Sequence, residues 1–163
     1  MAQQLADRMN VLGTESAFEV LAKAKALEAQ GKKIIHLEIG EPDFDTPEHV
    51  RQTAIDAINQ GHTHYVPAPG IPLLREAVVE FLDRFDRLET TADRVIVTPG
   101  AKPIMFLAIM LLAGPGDEVV YPDPGFPMYE SLTNFAGATP VPYPLREEND
   151  FRVDPEELKA LIT

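Results

Sequence analysis

From Arg94 onward the chain alternates short apolar runs with helical ones, and this alternation limits the fold more than any other feature. Residues 94–98 (RVIVT), 118–121 (EVVY) and 139–143 (TPVPY) read as strands. Residues 102–113 and 127–135 read as helices between them. Asp154-Pro155-Glu156-Glu157 opens a further helix, with Asp154 and Glu157 at capping-box spacing. Strands alternating with helices predict βαβ units, and therefore an α/β fold with a largely parallel sheet covered by helices on both faces. Three strands with open edges make a poor domain by themselves. The sequence also ends at Thr163, in or just after a helix, with no closing strand. The expectation is part of a larger sheet.

Upstream of this region the pattern is less regular. Phe18, Leu21, Ala24 and Leu27 recur at helical spacing within residues 16–30, and Gly31 supplies a stop. KKIIHLEIG (32–40) reads as a short strand. GEPDFDTP (40–47) is turn-rich and ends in Thr46-Pro47, a cap followed by a proline suited to the first helical position. A helix is expected from there to about Gln60, with Val50, Ala54 and Ala57 inward. After a proline- and glycine-rich loop, residues 73–85 predict an amphipathic helix whose stripe is Leu74, Ala77, Val78, Phe81, Leu82 and Phe85. Pro103 to Ala113 is the longest apolar run and reads as a buried core helix, with Met105 and Met110 in the core.

Charge and cysteine content exclude several classes of function. The formal net charge is −12, which disfavours sequence-independent nucleic-acid binding and docking on anionic lipid. There is no cysteine, hence no disulfide framework, thiol nucleophile or cysteine-based zinc site. MAQQLADRMNVLGTES has no apolar leader core, and no apolar run approaches the length of a membrane span. A cytoplasmic protein is expected, with neither nucleic-acid nor membrane partners.

The junction VIVTPGAKP (95–103) is the main candidate for chemistry. A strand runs into a helix through Gly100, Ala101 and Lys102, and ligands of open α/β sheets bind at such strand ends. The first amides of a helix lack intrahelical acceptors and sit at its positive end, so an anion is favoured there. Neither the Gly-x-x-x-x-Gly-Lys-Ser/Thr loop nor Gly-x-Gly-x-x-Gly is present. An ordinary empty turn is the competing reading. The next strand end brings Phe126 and Tyr129 to the same sheet edge, which suits a ligand with a flat ring and a phosphate, although a lone Phe is more often core. His62 and His64 have alternate spacing, and Asp43 and Asp45 flank Phe44. Solvated loop histidines and a carboxylate-stabilised turn explain these without a metal.

Four segments in order, LEIGEPDFDTP (37–47), HYVPAPGIPLLREA (64–77), VIVTPGAK (95–102) and DEVVYPDPGFPMYES (117–131), resemble the class I and II pyridoxal-phosphate aminotransferases. The aspartate/aromatic branch is the most similar, and the resemblance runs from about Ala17 to Thr163. It implies a fold type I large domain with a parallel-dominated sheet. Residues 1–46 would form an N-terminal arm and small-domain segment, and residues 47–163 the first part of the large domain. By the same resemblance, Gly100, Ala101 and Lys102 match the segment that holds the cofactor phosphate, and Phe126 the ring that stacks on the pyridine. Tyr65 matches the tyrosine that reaches the partner subunit's cofactor phosphate, which implies a homodimer. Gly40 matches the glycine whose N–H meets the substrate carboxylate.

The family's Schiff-base lysine, its pyridine-nitrogen aspartate and its substrate-carboxylate arginine lie beyond the segments matched here. None of the six lysines (23, 25, 32, 33, 102 and 159) stands in a context resembling the Schiff-base motif. The resemblance therefore implies the N-terminal portion of an enzyme that exchanges an amino group between an amino acid and a 2-oxo acid, inactive by itself. A carbon–sulfur lyase, decarboxylase or synthase of the same fold, or a non-catalytic dimerisation module, are the alternatives.

Overall fold

The computed structural model describes residues 5–13 and 16–163. Met1–Gln4, which begin the stretch read as lacking a leader, and Thr14–Glu15 lie outside them. The helices are α1 (Ser16–Glu28), α2 (Glu48–Asn59), α3 (Pro72–Phe81), α4 (Lys102–Leu112), α5 (Met128–Ala136) and α6 (Pro155–Ala160). The strands are β1 (Glu118–Asp123) and β2 (Thr139–Pro144). Contacts divide the chain into two compact units, Met1–Ile39 with Lys102–Thr163, and Gly40–Ala101.

In the first unit β1 and β2 pair in parallel, in register from Glu118 opposite Thr139 to Asp123 opposite Pro144. The connection runs through α5, so the expected βαβ unit forms. The ladder is extended by Thr139 N–H to the Asp117 carbonyl (2.9 Å) and Leu145 N–H to the Asp123 carbonyl (2.7 Å). Odd-numbered residues of β2 therefore aim their N–H groups at β1, and even-numbered ones aim away. Pro140, Pro142 and Pro144 fill the even positions. The outer rim of β2 thus has no amide to offer, which marks β2 as an edge strand protected against further pairing. Growth of this sheet is possible only on the β1 side.

The core of this unit is small. Ser131, Leu132 and Thr133 of α5 are buried, together with Ala138 and Tyr143. Thr133, wholly inaccessible, donates to the Tyr129 carbonyl one turn back at 2.7 Å. Ser131 both accepts from Gly13 N–H (2.9 Å) and donates to its carbonyl (3.2 Å), which fastens the N-terminal segment to α5. Tyr143 ties β2 to α6: its hydroxyl accepts from Asp154 N–H at 2.7 Å. Asp154 caps α6 through its carboxylate, which accepts from Glu156 N–H at 2.8 Å. Such a cap contributes about 1 kcal/mol. The expected capping box is only half made. Glu157 turns instead to Arg146, at 2.8 and 2.7 Å, because the tyrosine already holds the Asp154 amide.

Several expectations are corrected. Residues 94–98 form no strand: Ala92–Arg94 make a short 3-10 turn and the chain beyond is extended but unladdered. Val97 N–H donates to the Pro69 carbonyl (3.0 Å), a loop rather than a strand. The alternation that suggested a strand survives, with Val95 buried and Ile96 exposed. Residues 32–40 are likewise without strand pairing. Among the described residues the sheet has two strands, not three.

α4 is apolar along its length but not buried. Leu107, Leu111 and Leu112 are 57%, 83% and 78% exposed, and Met105 and Met110 are not core. An all-round apolar helix needs cover on every side, and here α5 packs on one side, with Phe106 and Phe135 rings 6.0 Å apart.

In the second unit, Pro47 rather than Thr46 occupies the cap position of α2 and no side chain caps it. Val50 and Ala54 are exposed, leaving Ala57 half-buried. α3 ends at Phe81 and closes through a wide π-type turn, Leu82–Asp86. Its less exposed face is Arg75, Val78, Val79 and Leu82, shifted from the expected stripe; Leu74, Phe81 and Phe85 are exposed.

Candidate functional site

The turn that leads to α4 is built by Thr98, Pro99 and Gly100. Gly100 N–H donates back to the Thr98 carbonyl (2.9 Å), and the Thr98 hydroxyl donates to the Gly100 carbonyl (2.5 Å). Closing so tight a loop sets Gly100 at φ +86°, a region in which side chains are rare. Among the described residues no atom lies within 4 Å of where a Cβ would stand. Glycine is therefore demanded by the backbone dihedral rather than by packing among the described residues. Ala101 follows, and Lys102 begins α4, with Pro103 lacking an N–H in the first turn. The amide of Ile104 in that turn has no carbonyl within the helix to reach.

Around Lys102 the first unit places two rings. Lys102 Nζ lies 5.8 Å from the Phe126 ring centroid and 6.0 Å from that of Phe18. Both are within range of a cation–π attraction. Phe126 is half-buried and meets Tyr129 edge-on, with centroids 6.1 Å apart and planes at 89°. The spacing between VTPGAK and GFPMY thus becomes spatial proximity, and a cation, a helix N-terminus and a ring share one corner of the unit. Phe18 was not expected here. It heads the α1 stripe at core spacing and nothing local distinguishes it, yet it is 57% exposed.

Gly40 and Tyr65 belong to the second unit. Gly40 has no positive φ and nothing within 4 Å of a Cβ position among the described residues, so no packing among them requires a glycine there. The Tyr65 side chain is fully exposed. Asp45, from the acidic pair considered above, meets Arg51 at 3.3 Å. A separate open groove of about 910 Å³ lies in the first unit, lined by Ile109, Leu112, Val119, Val120 and Leu161 among others; it includes neither Lys102 nor Phe126.

Residues 32–163 match the family described as Aminotransferase class I and II. The chain belongs to that family. It is 43% identical over 159 residues to an aspartate aminotransferase of Pyrococcus horikoshii, covering 98% of this chain and 40% of that protein. A probable aspartate/prephenate aminotransferase of Aquifex aeolicus is 38% identical over 163 residues, covering all of this chain and 41% of its own length. Among solved structures, the aspartate aminotransferase from Thermus thermophilus with maleate superimposes with a TM-score of 0.92 at 39% identity. That match covers 99% of this chain and 42% of the other. The chain therefore spans about two fifths of the length of these aminotransferases. Its fold is the corresponding part of the fold type I α/β architecture, and class I and II aminotransferases depend on pyridoxal phosphate. No helix among the described residues is long and apolar enough to cross a membrane.

One further cluster sits where α1 meets the segment leading to Gly40. His36 Nδ1 is 2.6 Å from Glu38 and its Nε2 is 2.9 Å from Glu28 at the end of α1. The hydrogen bond to Glu38, then that to Glu28, raises the His36 pKa from its ordinary 6.5. The same bond lowers Glu38 from its ordinary 4.5. The raised histidine favours the folded arrangement fully below pH 6.5, and this is lost as pH rises through the folded pKa. Glu38 adds its share above 4.5, lost as pH falls through its lowered value. The clasp is therefore tightest between about 4.5 and 6.5. An NMR titration of His36 is expected to show a midpoint above 6.5 that drops in Glu38→Gln; a midpoint at or below 6.5 in the unaltered chain contradicts the clasp.

Proposed function

We propose that the chain supplies the first part of a pyridoxal-phosphate-dependent aminotransferase, exchanging an amino group between an amino acid and a 2-oxo acid. The family match carries this reading, and the geometry around Lys102 agrees with it. First-turn amides of α4 and the Lys102 ammonium are the donors a phosphate dianion requires. The half-buried Phe126 ring suits a planar heteroaromatic. The residues present fit the cofactor.

Gly100, Ala101 and Lys102 would hold the phosphate and Phe126 would stack on the ring. Gly40, exposed and without a side chain, would present its N–H to the substrate carboxylate. Tyr65, fully exposed, would be available to the cofactor phosphate of a partner subunit, which makes the working form a homodimer. When bound, the cofactor supplies an electron sink for the amino acid's α-carbon. In the whole protein, residues 1–46 form the arm and small-domain segment and residues 47–163 begin the large domain, a division distinct from the two contact units of this chain. We assign the protein to the cytoplasm on its acidic, cysteine-free composition.

None of the six lysines is assigned as the covalent anchor of the cofactor, so the 163-residue chain by itself does not transaminate. The test is to mix the chain with pyridoxal phosphate, follow binding by absorbance, then reduce with borohydride and weigh the product. The expected result is binding that inorganic phosphate displaces, with the protein mass unchanged. A stoichiometric adduct on one lysine overturns the assignment of no anchor. Indifference to inorganic phosphate overturns the phosphate site.

A further inference from the structure

We propose that Arg75 is a positioning residue for the phosphate turn, acting through the backbone of residues 92–97. It deepens the cofactor reading of Gly100 and Ala101 and rests on it. The geometry lies wholly within the second unit. Arg75 sits on the half-buried face of α3. Its Nε donates to the Val95 carbonyl at 3.0 Å, and its Nη2 donates to the Ala92 carbonyl. The two carbonyls flank the Ala92–Arg94 turn, so one planar guanidinium grips both ends of it. Val97 N–H is held from the other side by the Pro69 carbonyl at 3.0 Å, and Gly70 is packed against the Val97 side chain.

Only Thr98 and Pro99 separate this doubly held segment from Gly100. No strand pairing fixes residues 95–98. In their place, the arginine fork and the 69–70 loop set the register in which the chain enters the turn. A shift of one residue along 92–97 would carry the Gly100 turn and the Ala101 amide away from the proposed phosphate position. Lysine offers its donors from one nitrogen on a flexible stem, so it cannot hold the two carbonyls in the fixed geometry of a planar fork. The sequence carried no signal for this role, since Arg75 lies off the expected apolar stripe and joins the half-buried face only in the structure.

The test compares Arg75→Met and Arg75→Lys with the unaltered 163-residue chain, and uses Arg51→Met as a surface-arginine control. Two readings are taken. Amide hydrogen exchange, without ligand, is expected to accelerate at Val95 and Val97 in Arg75→Met, less so in Arg75→Lys, and to be unchanged in α5. The dissociation constant for pyridoxal phosphate should rise roughly tenfold in Arg75→Met and by a smaller factor in Arg75→Lys, because small displacements of positioning groups cost a decade or more. That for pyridoxal, which lacks the phosphate, should not move. A merely structural arginine would lower the melting temperature and weaken both ligands alike. Equal losses for both ligands, or unaltered exchange at Val97, overturn the proposal. Should the unaltered chain not bind pyridoxal phosphate, the cofactor reading fails. Exchange at Val95 and Val97 still decides whether Arg75 holds the segment. If Arg75→Met does not fold, Arg75→Lys carries the same two readings.

Discussion

Gly125→Ala is expected to destabilise the first unit by about 3 kcal/mol, the upper end of what inserting atoms into a packed site costs. A Cβ at this position falls onto the Pro122 carbonyl oxygen, and it also crowds the Pro122 ring, 3.2 Å away at Cγ. The main obstruction is backbone, so no rotamer change relieves it. The Pro122–Gly125 turn must open, and the turn is what delivers Phe126 towards Lys102. Two effects should therefore appear together: a lower urea midpoint, and a displaced Phe126 ring resonance. Gly114→Ala is the control, since nothing lies within 4 Å of its Cβ position and its φ is not positive. It should stay within about 0.5 kcal/mol of the unaltered chain. Equal midpoints for the two variants would mean that the turn yields without cost and that Gly125 is not what aims Phe126.

The helices and the β1–α5–β2 unit were legible in the sequence because their signals are local. Helical spacing and the Asp154 cap before α6 each act within a few residues, and Asp154 caps where it was expected. What could not be read was partnership. Residues 95–97 carry strand-like alternation, but a strand also needs a neighbour with free amides and carbonyls, and here the Pro69 carbonyl takes that role. α4 reads as core because every face is apolar, yet apolarity fixes a demand for cover and not its source. Conversely, the alternating prolines of β2 were in plain view and specify an edge strand, but only once the Thr139 and Leu145 amides show which side faces β1.

The candidate site divides in the same way. Gly100, Lys102 and Phe126 could be picked from motif order, and the 5.8 Å between the Lys102 ammonium and the Phe126 ring brings the two motifs together. Phe18 and Arg75 escaped notice because each looked like part of a helix face. Their significance lies in long-range contacts, Phe18 with Lys102 and Arg75 with the Ala92 and Val95 carbonyls. A single sequence carries no direct record of such contacts.

Gly70→Ala should produce the largest loss in the second unit, about 2–5 kcal/mol, from two additive causes. The residue has φ +105°, and a Cβ there would stand 2.9 Å from both Cβ and Cγ2 of Val97. Gly100→Ala separates the causes. It carries a similar dihedral, φ +86°, but meets nothing within 4 Å. Its cost should be the dihedral part alone, about 1–2 kcal/mol, reduced by a few tenths because alanine also restricts the unfolded chain. The difference between the two variants therefore measures the collision with Val97, and about 1–3 kcal/mol is expected. Amide exchange at residues of the second unit is the measurement, since it reads that unit without averaging over the other. The pattern should also differ in place. Gly70→Ala should expose the Val97 amide by pushing it off the Pro69 carbonyl, whereas Gly100→Ala should leave Val97 protected and loosen only the turn. Equal losses in the two variants, with Val97 protected in both, would show that the 69–70 loop does not brace the segment entering the Thr98–Gly100 turn. Arg75 would then be its only brace among the contacts described.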